Sequence, residues 1–373
     1  MNTYCEGALD YLAHAHDPER ALFSFNSVLG PAGEIVNDFD HPQTHRYTIN
    51  TYLGLREAER HGGDVPWLGP VDAAVRRYVD QHYEGLDSHA DLGLLCVLLA
   101  DVDPGHPAVG RSLEQMAEAV RDPDAAARRF NLQDLAWMLW GAAATTGDDR
   151  AEPLARNLFA LIRSRFVDER SGLARHSVAR WRANLVSFGS TVYFLRAMYE
   201  HATRFGDEEA RRLFVEGARK VMAIQGPEGE WPWMIDTRTA VPVDLYPVFT
   251  VHQDSMAMLW LFPAAQLGVE GVAEAIDCSF AWNLGRNELG TSLVCHEPCF
   301  WVYRAVERDE RFGRVRRYVR SLGRPATRYP SRSAKVRINR ECRSYHLGWV
   351  LYVWSSQAAT PHEDAGGVTA ARA

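Results

Sequence analysis

Apolar positions along this chain fall into two kinds of segment, and the two kinds alternate. In the first, Val71, Ala74, Val75, Tyr78 and Val79 recur at i, i+3, i+4, i+7 and i+8, with charged residues opposite. Leu154, Leu158, Leu161 and Ile162 form a similar stripe, as do Leu213, Phe214, Gly217 and Val221. One apolar face at a period of 3.6 predicts a helix that covers a core and meets solvent. The second kind is apolar nearly all round: 132–144, 255–267 and 345–354, with 91–100 and 188–199 similar. Such a helix needs neighbours on every side. The pattern predicts inner helices over 46–60, 87–100, 131–146, 187–204, 253–268 and 343–356. It predicts outer helices over 70–83, 108–121, 150–166, 208–224 and 270–284, and further helices over 5–14 and 293–308. Alternation of this kind implies an all-α fold: an α/α toroid of about six helical hairpins, with an inner ring, an outer ring and long loops at one rim.

The breakers agree with these limits. Gly62-Gly63, Pro104-Gly105, Gly147-Asp148-Asp149, Gly206-Asp207 and Gly226-Pro227 all fall between predicted helices. The stretches 17–44, 226–251 and 322–342 read as non-helical. Loops of this length in a compact domain are often functional. The second contains Trp231, Trp233, Tyr246 and Phe249, with a small hairpin expected over 237–243. Residues 1–358 read as one domain and 359–373, small and polar, as a disordered tail.

Composition narrows the function classes. The 373 residues exceed an ordinary single domain, which repeated hairpins allow because each adds its own slice of core. Eleven Trp, 14 Tyr and 15 Phe can fill a core or line a cavity that grips sugars or greasy substrates. The net charge of −7, without a Lys/Arg-rich block, argues against nucleic acid as the main partner. No apolar run reaches the roughly 18 residues of a membrane helix. The start, Met1 to Glu6, lacks the basic and apolar regions of a signal peptide. A cytoplasmic enzyme with reduced thiols is expected, acting on a small molecule or glycan without a cofactor.

Gln225, Gly229 and Trp231 match the core of the QxxxGxW element that recurs in squalene–hopene-type terpenoid cyclases, where the Gln and Trp tie the end of one outer helix to the next. The same segment resembles the G-x-W turns of six-hairpin glycosidases and sugar epimerases, which share the toroid shape. The run from Trp231 to Met258, HRYTINTYLGL near residue 45, GRNELG at 285 and NRECRSYHLGW at 339 are similar to six-hairpin-like bacterial proteins. This resemblance implies a fold rather than a reaction. The acidic DxDD motif of class II terpenoid cyclases is absent, Asp38-Phe39-Asp40-His41 being the nearest approach. Asp148 to Glu152 imitates a metal–diphosphate motif but reads as the acidic start of an outer helix.

Four constellations can bear chemistry. Tyr246 with His252, Gln253 and Asp254 stands where a long loop enters an inner helix. Asp254 can act as general acid or base beside His252, or Gln253 and Asp254 can simply cap the helix. Arg46 and Tyr47 begin another inner helix, where Arg46 can bind a carboxylate or phosphate, or pair internally with Asp38 or Asp40. Glu341 and His346 flank the start of the last inner helix. Asp254 with Glu341 is the candidate pair for glycoside hydrolysis, which needs two carboxylates about 5–10 Å apart. Tyr246, His252 and Arg46 are the candidate set for a lyase or epimerase. Arg46, Tyr47, Trp231, Trp233, Gln253, Trp137 and His346 are expected to contact substrate. Cys295, Cys299 and Cys342, with nearby His residues, offer soft ligands of the kind that hold zinc in the toroidal lanthionine cyclases, or they are buried apolar thiols. The leading expectation is a hydrolase, lyase or epimerase acting on a sugar or glycan. The alternatives are a terpenoid cyclase or prenyl-type enzyme with an aromatic-lined cavity, and a toroid that binds without catalysis.

Overall fold

The computed structural model describes residues 3–179, 183–308, 325–330 and 335–357. The expected tail, 359–373, lies outside them. Among the described residues the inner helices are α2 (Thr44–Arg60), α4 (His89–Val102), α7 (Leu132–Ala144), α9 (Phe188–Phe205), α11 (Met258–Gln266) and α13 (Ser344–Trp354). Each of α2, α4, α7 and α9 packs on the next. A π-helical turn, His252–Met256, precedes α11 and packs on α13, and α13 packs on α2 to close the ring. Around it stand α1 (Thr3–His14), α3 (Val71–His82), α5 (Pro107–Ala119), α8 (Ala151–Arg165), α10 (Glu208–Met222) and α12 (Val272–Asn283). The protein is an α/α toroid.

Backbone contact draws the inner ring tight. A Cβ on Gly54 would fall on the carbonyl of Gly348, so α2 and α13 close the ring only with glycine there. Gly93 and Gly141 bring α4 and α7 together in the same way. Local signals set the starts of the helices. The Ser88 side chain accepts from the Asp91 amide at α4, and Asn131 with Asp134 forms a reciprocal capping box at α7. A short helix, α6 (Pro123–Arg129), was not expected; its Pro sits just after the Asp122 cap, a favoured first-turn place.

Small antiparallel sheets crown one end of the ring. Strands β1 (His16–Asp17) and β2 (Leu22–Phe23) pair, as do β3 (Asn26–Leu29) and β4 (Ile35–Asp38), ahead of α2. The expected hairpin near 237–243 is β6 (Met234–Asp236) with β7 (Val241–Asp244), joined on its other side by β5 (Leu185–Ser187). Strand β8 (Val248–Phe249) pairs with β11 (Ala305–Arg308), which pairs with β12 (Val336–Asn339). All these strands lie in segments that lead into inner-helix N-termini, so the crown surrounds that rim.

The helix expected over 293–308 is not formed. That segment holds β9 (Val294–Cys295), β10 (Trp301–Val302) and β11. A short apolar run fits both periods, and tertiary pairing with β8 and β12 decides in favour of strand. Among the described residues no helix is long and apolar enough to cross a membrane.

Candidate active site

A cavity of about 200 Å³ opens among the inner-helix N-termini. Its lining follows from helix geometry. Four inner elements each contribute a residue and the one four positions later: Arg46 and Asn50, Gln133 and Trp137, Gly189 and Tyr193, His252 and Met256. Residues at i and i+4 lie one above the other on a helix face, so each pair spans rim to floor. Gln43, Tyr47, Ser187 and Tyr345 complete the helical walls, and the crown adds Trp233, Phe249 and Arg304.

His252 is 4% exposed and held by aromatic rings: Trp233 stacks on it at 6.1 Å between centroids, with Phe188 at 4.9 Å and Phe249 at 5.1 Å. Its Nδ1 has no hydrogen-bond partner among the described residues. Burial, assisted by the nearby His346, pushes its pKa down from 6.5 to about 3, so the imidazole is neutral at ordinary pH. Nε2 is the nitrogen beside Gly189, where an added Cβ would sit 3.7 Å away.

Two guanidiniums reach the cavity. Arg46 lies over the Trp137 ring at 4.8 Å, and its Nε donates to Asp91 at 2.6 Å. The internal pairing considered with Asp38 or Asp40 is not formed; Asp40 pairs with Arg20. Arg304 lies over Phe249 at 5.5 Å and donates to Glu341 at 3.1 Å. Tyr47 stands between Phe25 and Tyr345, at 4.7 and 4.2 Å between ring centroids. Burial raises its phenol pKa, against the opposing charges of Arg343, Arg304 and Arg46.

The two carboxylates expected to work as a pair do not line this cavity. Asp254 is fully buried behind it. Tyr4 donates to its Oδ2 at 2.6 Å and Asn283 at 2.9 Å, while His346 Nε2 lies 2.7 Å from Oδ1. Glu341 is claimed by Arg343 at 2.6 Å and by Arg304; burial raises its pKa, but the two guanidiniums bring it below the usual carboxylate range. Among the described residues the lining contains no carboxylate.

Other expected site residues lie outside this cavity lining. Tyr246 is buried in a small cluster with Trp282, Leu293 and Val306, and donates to Glu288 at 2.7 Å. Trp231 is in the core, its indole donating to Ser279 at 2.8 Å, and its amide donates to Gln253 at 3.1 Å. Gln225 donates to the carbonyls of Gly229 at 3.0 Å and Ala275 at 2.9 Å. It thereby ties the end of α10 to α12, the role the QxxxGxW resemblance implies. Asp148 accepts from the amide of Arg150 at 3.0 Å and pairs with its guanidinium within one turn. Cys342 is fully buried, Cys299 nearly so and Cys295 half-buried. Among the described residues no three His, Cys, Asp or Glu side chains gather as a metal site, so the zinc grouping does not form.

Trp137, Trp233, Arg46, Tyr47 and His252 were thus expected in the site and stand in the cavity wall. Gln43, Asn50, Gln133, Tyr193 and Met256 were not expected, though the first two turns of inner helical segments mark all but Gln43, which precedes α2. Arg304 was hidden inside the segment misread as helix.

The chain is similar to solved α/α toroids along nearly its whole length. The cellobiose 2-epimerase from Bacillus thermoamylovorans B4167 superimposes with a TM-score of 0.61 at 12% identity, covering 93% of this chain and 95% of that one. The GH76A α-1,6-mannanase from Salegentibacter sp. HEL1_6 gives 0.60 at 10%, covering 96% and 99%. An unsaturated glucuronyl hydrolase from Streptococcus agalactiae gives 0.61 at 11%, covering 95% and 90%. At these identities the likeness shows the fold. No protein-family model and no curated sequence matches the chain.

Proposed function

We propose that this protein is a carbohydrate-active enzyme that moves a proton at a sugar carbon, as epimerases and lyases do, with His252 as the proton acceptor. The observation that carries this reading is a neutral, solvent-shielded imidazole in the wall of a cavity whose charged groups, among the described residues, are Arg46 and Arg304. His252 takes the proton from a carbon next to a carbonyl or carboxyl group. The electron pair of that C–H bond moves onto oxygen as an enediolate, which cationic donors stabilise. Return of a proton to the opposite face inverts the carbon; departure of a leaving group from the adjacent carbon instead makes a double bond. Trp233 and Trp137 offer faces on which a sugar ring stacks. The toroid is shared with proteins named as a sugar epimerase, a mannanase and a glucuronyl hydrolase. Two-carboxylate hydrolysis finds less support, because Asp254 and Glu341 are engaged behind the wall. A carbocation of the cyclase type would meet two guanidiniums in the same cavity.

The test is turnover of a panel of neutral and acidic sugars in D2O, followed by NMR. Deuterium entering a carbon-bound position, or a new unsaturated product, is the expected result, and His252→Asn should abolish it. Cleavage that takes oxygen from solvent without carbon-bound deuterium would overturn the reading in favour of hydrolysis.

A further inference from the structure

The cationic side of the cavity is more than a pair of surface arginines. Arg304 and Arg343 share one carboxylate, Glu341. Arg343 is 5% exposed, lies over Phe25 at 4.0 Å, and leaves Nε and one terminal nitrogen without a partner among the described residues. Among the described residues Glu341 is the one counter-ion of both, so this buried guanidinium, short of acceptors, and its neighbour leave one positive charge uncompensated there. Arg46 faces the same phenol of Tyr47, backed by Asp91 and by Asp134, whose carboxyl burial pushes up. Carboxylates are therefore placed behind the cationic wall, and the described lining offers none to repel an anion.

We infer that the cavity takes a sugar that carries a carboxylate, a uronic acid unit, with that carboxylate set against Arg304 and Arg46. The inference rests on the cavity being the substrate site. Guanidinium geometry suits it, because the planar fork donates two parallel hydrogen bonds to a carboxylate. Size agrees: about 200 Å³ is below the roughly 300–1,000 Å³ of pockets for drug-sized ligands and fits one monosaccharide unit. The chemistry is consistent too. The proton on the carbon next to a uronate carboxylate is the one whose removal makes an enediolate at the carboxyl oxygens. The same arginines that bind the ground state then face the charge that develops. The imidazolium formed on His252 gains an anion beside it, which offsets the burial that keeps the free ring neutral.

Binding is the deciding measurement. The full chain would be titrated calorimetrically with glucuronate, galacturonate and mannuronate, with the methyl ester of each, and with glucose 6-phosphate. At least one uronate should bind about ten- to a hundredfold more tightly than its ester, the span of one or two charge-assisted hydrogen bonds. Arg304→Gln should erase most of that preference by weakening uronate binding far more than ester binding, and Arg304→Lys should keep part of it, with melting curves recorded for both. Equal affinity for acid and ester would overturn the inference, as would tighter binding of the sugar phosphate. Failure of this inference and failure of the proposed function are separable. A uronate preference without deuterium exchange leaves the binding claim standing and removes the proton-transfer chemistry. Exchange into neutral sugars alone does the reverse.

Discussion

His252 and Asp254 are two residues apart, yet they belong to different worlds. His252 stands in the cavity wall among aromatic rings, with Nδ1 unpartnered. Asp254 is sealed in the layer behind, held by Tyr4, Asn283 and His346. Helical spacing accounts for the division: residues two apart along the turn His252–Met256 point to roughly opposite sides, one toward the cavity and one toward the layer behind. The lesson concerns how a functional group is recognised. A buried titratable group with all its bonds made is holding the fold together. One that stands in a cavity wall with its ring short of a partner is the candidate for proton exchange.

Substitution can break this comparison. His252→Asn should lower kcat by about 10²- to 10⁴-fold, the usual worth of a general base, with little loss of melting temperature. Asp254→Asn should show the opposite profile. Removing the charge that Tyr4 and Asn283 donate to should cost on the order of 3 kcal/mol in stability, read from denaturant midpoints. If Asp254→Asn leaves stability unchanged and removes activity, the roles assigned to the two layers are reversed.

A smaller effect sharpens the contrast. Gly189 lies in the first turn of α9 and lines the cavity, and its added methyl would meet Met256 at 3.5 Å and His252 Nε2 at 3.7 Å, ordinary contacts. Gly189→Ala should therefore fold, gain up to about 1 kcal/mol from helix propensity, and lose roughly tenfold in kcat/KM by crowding the imidazole. Unchanged kinetics in a stabilised variant would show that substrate does not approach Nε2.

The last effect is in the pH dependence of stability. His252 has a folded pKa of about 3 against 6.5 for a free imidazole. Between those values the unfolded chain binds more protons, so this residue's contribution to stability is full above pH 6.5 and is lost as pH falls toward 3. His16, lowered to about 4 mainly by burial, adds to the same slope. Urea midpoints across this range should fall less steeply in His252→Asn than in the parent; identical slopes would mean that His252 takes up its proton over the same pH range in the folded and unfolded chain.

Much of the architecture was legible in the chain. Apolar stripes and all-round apolar segments define outer and inner helices because the hydrophobic effect acts locally on helical faces, and the breakers supply the ends. The same logic carried Arg46, Tyr47 and Trp137 to the site, since the first turns of inner helices meet at one rim. The reading failed where local pattern is ambiguous. Residues 293–308 fit a helix until β8 and β12 claim them as strand, and Arg304 emerged only with that pairing.

By itself, then, the sequence determined the alternation of helices, the all-α class and the rim where the site would lie, because these follow from periodicities a few residues long. Tertiary structure alone decided which side chains face the cavity. It set Asp254 behind the wall and His252 in it, gave Glu341 to Arg304 and Arg343, and brought Arg46 to the same space as Arg304. The physical reason is that the exposure, partners and pKa of a charged group depend on elements far away along the chain, which no local pattern encodes.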